Sequence, residues 1–118
     1  LETALTKLKE LRKEFESNLF VPGTAEGVNI ELDKAFRLKD FITMGELVAY
    51  DALSRNESCG GHFREEYQTE EGEAKRDDKN FFYVSCWNYQ GDDEKAPELI
   101  KEPLEYEAIK VQTRNYKS

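Results

Sequence analysis

The chain has 118 residues, enough for one domain or part of one, and with 36% charged and 38% hydrophobic residues its core must be small. Seven Phe, six Tyr and one Trp argue against disorder, because disordered chains are poor in the large rings that make burial worthwhile. Acids outnumber bases 25 to 17, and the resulting charge of −8 repels phosphate backbones and anionic lipid, which argues against a nucleic-acid partner.

The basic clusters are short: Lys7-Lys9-Arg12-Lys13, interleaved with Glu10 and Glu14, and Arg114 to Lys117. No apolar run approaches the roughly 20 residues that span a bilayer, and no basic-then-apolar signal precedes the first helix. A soluble chain without direct membrane insertion is expected. Cys59 and Cys86, in a chain without an export signal, read as reduced thiols rather than a disulfide. The start at Leu1, without Met and inside a helical pattern, reads as a segment excised from a longer protein.

In chain order, Leu1, Ala4, Leu5, Leu8, Leu11 and Phe15 recur at helical spacing and predict an amphipathic helix from Leu1 to about Asn18 with one buried stripe. Such a stripe also suits a partner-binding helix, but it serves packing within the chain equally well. Val21-Pro22-Gly23 ends this helix, and Asn29 is an N-cap for the next, with Glu31 and Asp33 suiting the positive end of its dipole. That second helix is expected to run to about Arg55. From Phe41 to Leu53 it is apolar around most of its circumference, with Phe41, Ile42, Met44, Leu47, Val48, Ala49, Tyr50, Ala52 and Leu53. One amphipathic helix cannot cover that surface, so a third helix or another domain is expected against it, and the isolated chain is expected to expose it and self-associate.

Residues 56–80 are polar, punctuated by Gly60-Gly61 and Gly72 and anchored by Phe63 and Tyr67. Phe81 to Tyr89 reads as a strand, and Gln90-Gly91-Asp92-Asp93 turns the chain. A second strand is expected over Leu104 to Thr113, where a bulge at Glu107 or Ala108 would bring Leu104, Tyr106, Ile109 and Val111 to one face. The fold class is α+β and mainly helical: a long-helix hairpin (1–56) from a spectrin-like three-helix bundle, a polar motif loop (57–80) and a short β tail (81–118), together one domain.

The seven glycines never form a G-x-G-x-x-G or Walker pattern, so no self-contained dinucleotide or triphosphate site is expected. Cys59-Gly60-Gly61-His62 has the gap of a metal-binding pair, but a structural zinc site takes four ligands and the only other good candidate is Cys86. The same residues could form a thiol nucleophile and its base, oriented by Glu57, Glu65 or Glu66. The favoured reading is a tight turn in which His62 hydrogen-bonds within the interior. Asp77-Asp78 and Asn80 lack the spacing and closing Glu of a calcium loop, and turn chemistry ahead of the strand accounts for them. No catalytic, cofactor-binding or metal residue is expected.

Arg55-Asn56-Glu57-Ser58-Cys59-Gly60-Gly61-His62-Phe63-Arg64-Glu65-Glu66, followed by Arg76-Asp77-Asp78-Lys79-Asn80-Phe81, resembles the C-terminal region of succinate dehydrogenase and fumarate reductase flavoprotein subunits. The family pattern is R-x-E-S-R-G-x-H-x-R-x-D/E, an acidic loop, then R-D-D-x-N-W/F; aspartate oxidases share a reduced version. The Cys59 form, with the Phe81 to Trp87 strand, is most similar to Bacteroides-type quinol:fumarate reductases. Cys59 departs from the Arg of many members, which leaves any charge role at that position without its carrier. The resemblance implies a C-terminal docking domain of a parent that interconverts succinate and fumarate with FAD. The parent's partners would be the upstream FAD-binding domain, an iron–sulfur subunit and a membrane anchor subunit, in a peripheral complex on the cytoplasmic side of the inner membrane. FAD would belong to the parent and the isolated segment would be inactive. The candidate interface motif is Arg55, Glu57, Ser58, Gly60, His62, Arg64, Arg76, Asp77 and Asp78. The alternative reading is a free-standing helical interaction module without catalytic activity.

Overall fold

The computed structural model describes residues 1–113, and its contacts divide the chain after Ser54 into two compact units.

The first unit is a helical hairpin. Helix α1 spans Glu2–Asn18 and α2 spans Ile30–Ser54. Leu5 and Lys9 on α1 line one hollow with Tyr50, and Phe15 with Leu19 line another with Leu38, so the two helices are antiparallel, with Leu8 against Gly45 and Arg12 against Thr43 and Glu46 between. Gly45 has an ordinary helical role except for space: a Cβ there would stand 3.4 Å from a Leu8 methyl. The link between the helices is fixed by Asn29. Its Oδ1 accepts from the N–H groups of Glu31 and Leu32, both at 3.1 Å, satisfying two donors that α2 itself cannot. Its Nδ2 donates back to the Pro22 carbonyl at 3.1 Å. Gly23, at φ +101°, makes that approach possible, since a Cβ would come within 2.8 Å of the same amide. Asn29→Ala removes the cap and the tie together, and thermal unfolding should show a loss of about 1 to 2 kcal/mol.

The buried residues of the hairpin are Leu5, Ala35, Ile42 and Ala49, together with Arg12 and Glu46. This corrects the stripe expected for α1. Leu5 is inside and Leu8 and Phe15 are half-buried, but Leu1 and Leu11 are about half exposed, and Arg12 takes the inner position. The reason lies on α2, where Glu46 occupies the centre of the face that meets α1 and requires a cation opposite. On α2, Phe41, Met44 and Val48 are exposed by 66%, 57% and 63%, so the apolar surplus expected from Phe41 to Leu53 is left on the surface. No helix is long and apolar enough to cross a membrane among the described residues.

The second unit is built from short pieces. Residues 57–80 are more ordered than a loop. Cys59 and His62 exchange both backbone hydrogen bonds around Gly60-Gly61, and Gln68 bridges Ala74 around a turn closed by Gly72 at φ +78°. A single turn of helix, α3 (Asp78–Phe81), follows. Strands β1 (Tyr83–Asn88) and β2 (Glu98–Pro103) then form an antiparallel two-stranded sheet, with Tyr83 opposite Pro103 and Asn88 opposite Glu98.

The second strand therefore lies earlier than Leu104 to Thr113. Pairing resumes at Glu98, once the loop of residues 89–97 has reversed the chain, and Pro103 is no obstacle because both strands of a two-stranded sheet are edges. Residues 104–113 form no strand. Leu104 still donates its N–H to the Phe82 carbonyl, and Tyr106 meets Phe82 edge-on at 5.7 Å between centroids. The alternation of Leu104 and Tyr106 reports this packing rather than pairing. On β1, Tyr83 is buried and Ser85 and Trp87 are half-buried, while Val84, Cys86 and Asn88 point outward.

Candidate functional site

The motif residues gather in the second unit around one carboxylate. Glu57 is 2% exposed. Its Oε1 accepts from Arg55 Nη2 at 2.6 Å and its Oε2 accepts from the Asp77 main-chain N–H at 2.9 Å. One side chain thus joins the two motif segments, with Glu57 and Asp77 lying 20 positions apart in the chain. The adjacent main chain reinforces the join, with Ser58 N–H donating to the Lys75 carbonyl at 2.9 Å. A carboxylate buried this deeply is tolerated because both oxygens have donors, one of them a cation.

Ser58, with no exposed surface, works as a second clasp. Its hydroxyl accepts from Arg64 N–H at 2.8 Å and donates to the Arg64 carbonyl at 3.2 Å. The pair closes the small hairpin that Gly60-Gly61 turns, with Gly60 at φ +58° on its exposed tip. The Arg55 carbonyl is a shared acceptor, taking His62 Nε2 at 3.1 Å and Arg64 Nη1 at 3.2 Å. A carbonyl only accepts, so Nε2 of His62 carries the proton. Arg64 also reaches Asn56 Oδ1 and Glu66 Oε1, and its guanidinium lies 4.9 Å from the centroid of the Tyr67 ring. The Glu66 carboxyl is held below its usual range by its own backbone N–H and then by Arg64.

The second motif segment is arranged around Asp77. Its side chain accepts from Asn80 N–H at 3.3 Å and Asn80 Nδ2 at 2.8 Å, capping α3. Arg76 pairs with Asp78 through Nε and Nη2, at 2.9 and 2.6 Å, and Nη1 donates to the Gln112 carbonyl at 3.2 Å. The bond to Asp78 raises the Arg76 guanidinium above its usual range. Arg55, Glu57, Ser58, His62, Arg64 and the Asp77 main chain thus form one hydrogen-bonded cluster. Arg76 and Asp78 make their own pair, and Gly60 stands apart on its turn.

What this arrangement does chemically is hold itself together. The Cys59-Gly60-Gly61-His62 turn exists, but His62 Nε2 is committed to the Arg55 carbonyl, as the interior-histidine reading expects. Among the described residues no three His, Cys, Asp or Glu side chains gather as metal ligands. The arginine forks face Glu57, Glu66, Asp78 and main-chain carbonyls, and the positive-φ glycines 23, 60, 72 and 91 sit in separate turns rather than together before a helix.

Sequence reading missed a buried ionic contact in the first unit. Arg12 Nη2 meets Glu46 Oε2 at 2.5 Å, with side chains only 8% and 10% exposed, and Arg12 Nη1 reaches Thr43 Oγ1 at 3.5 Å. A signal for it was present: Glu46 is the one acid within the apolar run from Phe41 to Tyr50.

A family model for the C-terminal domain of the fumarate reductase flavoprotein matches residues 1–116. No curated protein and no solved structure matches the chain. The match spans both units and includes the whole Glu57 cluster, and by it the chain belongs to the fumarate reductase flavoprotein C-terminal domain family.

Proposed function

We propose that this chain is a docking and supporting domain of the flavoprotein subunit of a succinate dehydrogenase or fumarate reductase. The observation that carries the reading is the exposed apolar row Phe41, Met44 and Val48 on α2, in a chain whose buried Glu57 carboxylate has donors on both oxygens from within the chain. Isolated apolar side chains on a surface mean little, but a contiguous row along one helix marks a surface that is covered in the working protein. The upstream FAD-binding domain is the partner for that row. The parent interconverts succinate and fumarate by hydride exchange with FAD, and electrons pass through an iron–sulfur subunit to a quinone-linked membrane anchor. The Glu57 cluster keeps its segment rigid beside a domain or subunit interface. The Cys59-Gly60-Gly61-His62 form supports a parent of the Bacteroides type.

In the full-length flavoprotein, Phe41→Asp with Val48→Asp should lower the yield of assembled, flavin-loaded complex by about tenfold, since two charges must be desolvated in an apolar contact. Turnover per bound flavin in what assembles should stay as it was. Val28→Asp, at a position 99% exposed in the link between the helices, is the control and should assemble normally. Normal assembly of the Phe41/Val48 variant would sink the docking role.

A further inference from the structure

Helix α1 is turned away from its own apolar face. At 3.6 residues per turn, Leu1, Ala4, Leu5, Leu8, Leu11 and Phe15 centre about 50 to 60° from the direction that Leu5 and Arg12 share. That shared direction is the one that is buried, while Leu11 is left 51% exposed. Hydrophobic burial alone would turn the helix until Leu11 and Phe15 faced α2.

The facing surface of α2 offers little else to set the angle. Its buried residues are Ala35, Ile42, Glu46 and Ala49, and Gly45 beside them is bare enough for Leu8 to lie against it. Helices resist rotation where large ridges enter grooves, and alanine and glycine supply few ridges. Glu46 is the exception. Its Oε2 holds Arg12, and its Oε1 is buried without a hydrogen-bond partner among the described residues. A carboxylate already short of one donor cannot also lose its cation without heavy cost.

We propose that the Arg12–Glu46 ion pair is a rotation lock: it sets the angle of α1 on α2 against the pull of the apolar stripe and thereby keeps Leu11 and Phe15 on the wall of an open groove. That groove, about 430 Å³, is walled by Leu11, Phe15, Leu19, Phe20, Leu38 and Ile42. Turning α1 to satisfy its stripe would carry Leu11 inward and narrow the groove. The lock thus exchanges some apolar burial for an open lateral face. It does not depend on which partner fills that face, so it stands or falls separately from the docking role.

Hydroxyl-radical footprinting of the 118-residue chain, read by mass spectrometry, tests the lock directly. Leu11 is the reporter, and Phe20, 83% exposed, is the internal reference. In Arg12→Ala/Glu46→Ala the Leu11 oxidation rate relative to Phe20 should fall by about twofold or more, as a half-exposed leucine becomes core. Helical circular dichroism should be kept, because an alternative apolar packing is available. In Glu46→Leu, which fills the volume and removes the carboxylate that holds Arg12, the same protection of Leu11 is expected. If Leu11 reacts at its original rate in a helical Glu46→Leu variant, the lock is wrong. Loss of helicity in both variants would also overturn it, since α1 would then have no second face to use.

Discussion

Glu57→Ala should unfold the second unit or bring it close to unfolding, with a loss of about 3 to 5 kcal/mol, the usual cost of breaking a buried ion pair from one side. Glu57 is 2% exposed and accepts from the Arg55 guanidinium and the Asp77 N–H. Alanine withdraws a carboxylate from both at once and leaves a cavity in its place. The sheet of the same unit has two strands among the described residues, and a two-stranded sheet is marginal without packing beneath it. Trp87, the single tryptophan, lies on β1 and reports on this unit alone. Its near-ultraviolet dichroism and emission maximum should shift towards those of an exposed indole. Glu57→Gln retains an oxygen for the Asp77 N–H and gives up the charge, so a smaller loss of about 1 to 3 kcal/mol is expected. Equal stability of Glu57→Ala and the parent chain in urea titrations followed at Trp87 would show that the two motif segments are held by other contacts.

Arg12→Ala carries the second large effect. It strands the Glu46 carboxylate at 10% side-chain exposure, and chemical denaturation followed by helical dichroism should show a loss of about 3 to 5 kcal/mol. The pair as a whole is another matter. Replacing both partners by apolar residues of similar volume removes two desolvation penalties along with the attraction, so Arg12→Leu/Glu46→Leu should lie near the parent chain or above it. The contrast between the single and double variants is the diagnostic. A double variant as unstable as Arg12→Ala would mean that the pair contributes net stability, and that Arg12 matters for more than cancelling the charge of Glu46.

Much of the local structure was legible because its causes are local. The Pro22-Gly23 stop and the Asn29 cap act over a few residues, and the ends of α1 and α2 fell within a residue of those expected. The Gly60-Gly61 turn and the Asp77 cap on Asn80 are likewise decided by neighbours in the chain. Strand position was harder. Alternation over Leu104 to Val111 looks like a strand, yet the ladder had to begin where the loop of residues 89–97 returned the chain to β1, and that made Glu98–Pro103 the partner. Even the first strand lost Phe81 and Phe82, since Asp77 nucleates a helical turn that carries Phe81.

By itself the sequence determined that there are two long helices, that α2 has more apolar surface than α1 covers, and that the motif pair belongs to a flavoprotein C-terminal domain. The first two rest on periodicity and capping written along the chain, and the third on the resemblance of the motif residues to that family. Only the tertiary structure decided that Arg12 rather than Leu11 turns inward, and that Glu57 is the residue that joins the two motif segments. Both decisions arise from a buried carboxylate finding its donor, 34 residues away for Glu46 and 20 for the Asp77 N–H on Glu57. Hydrophobic patterning ranks residues by how much they gain on burial. It cannot register a charged group whose place inside is set by a partner that comes close only after the chain has folded.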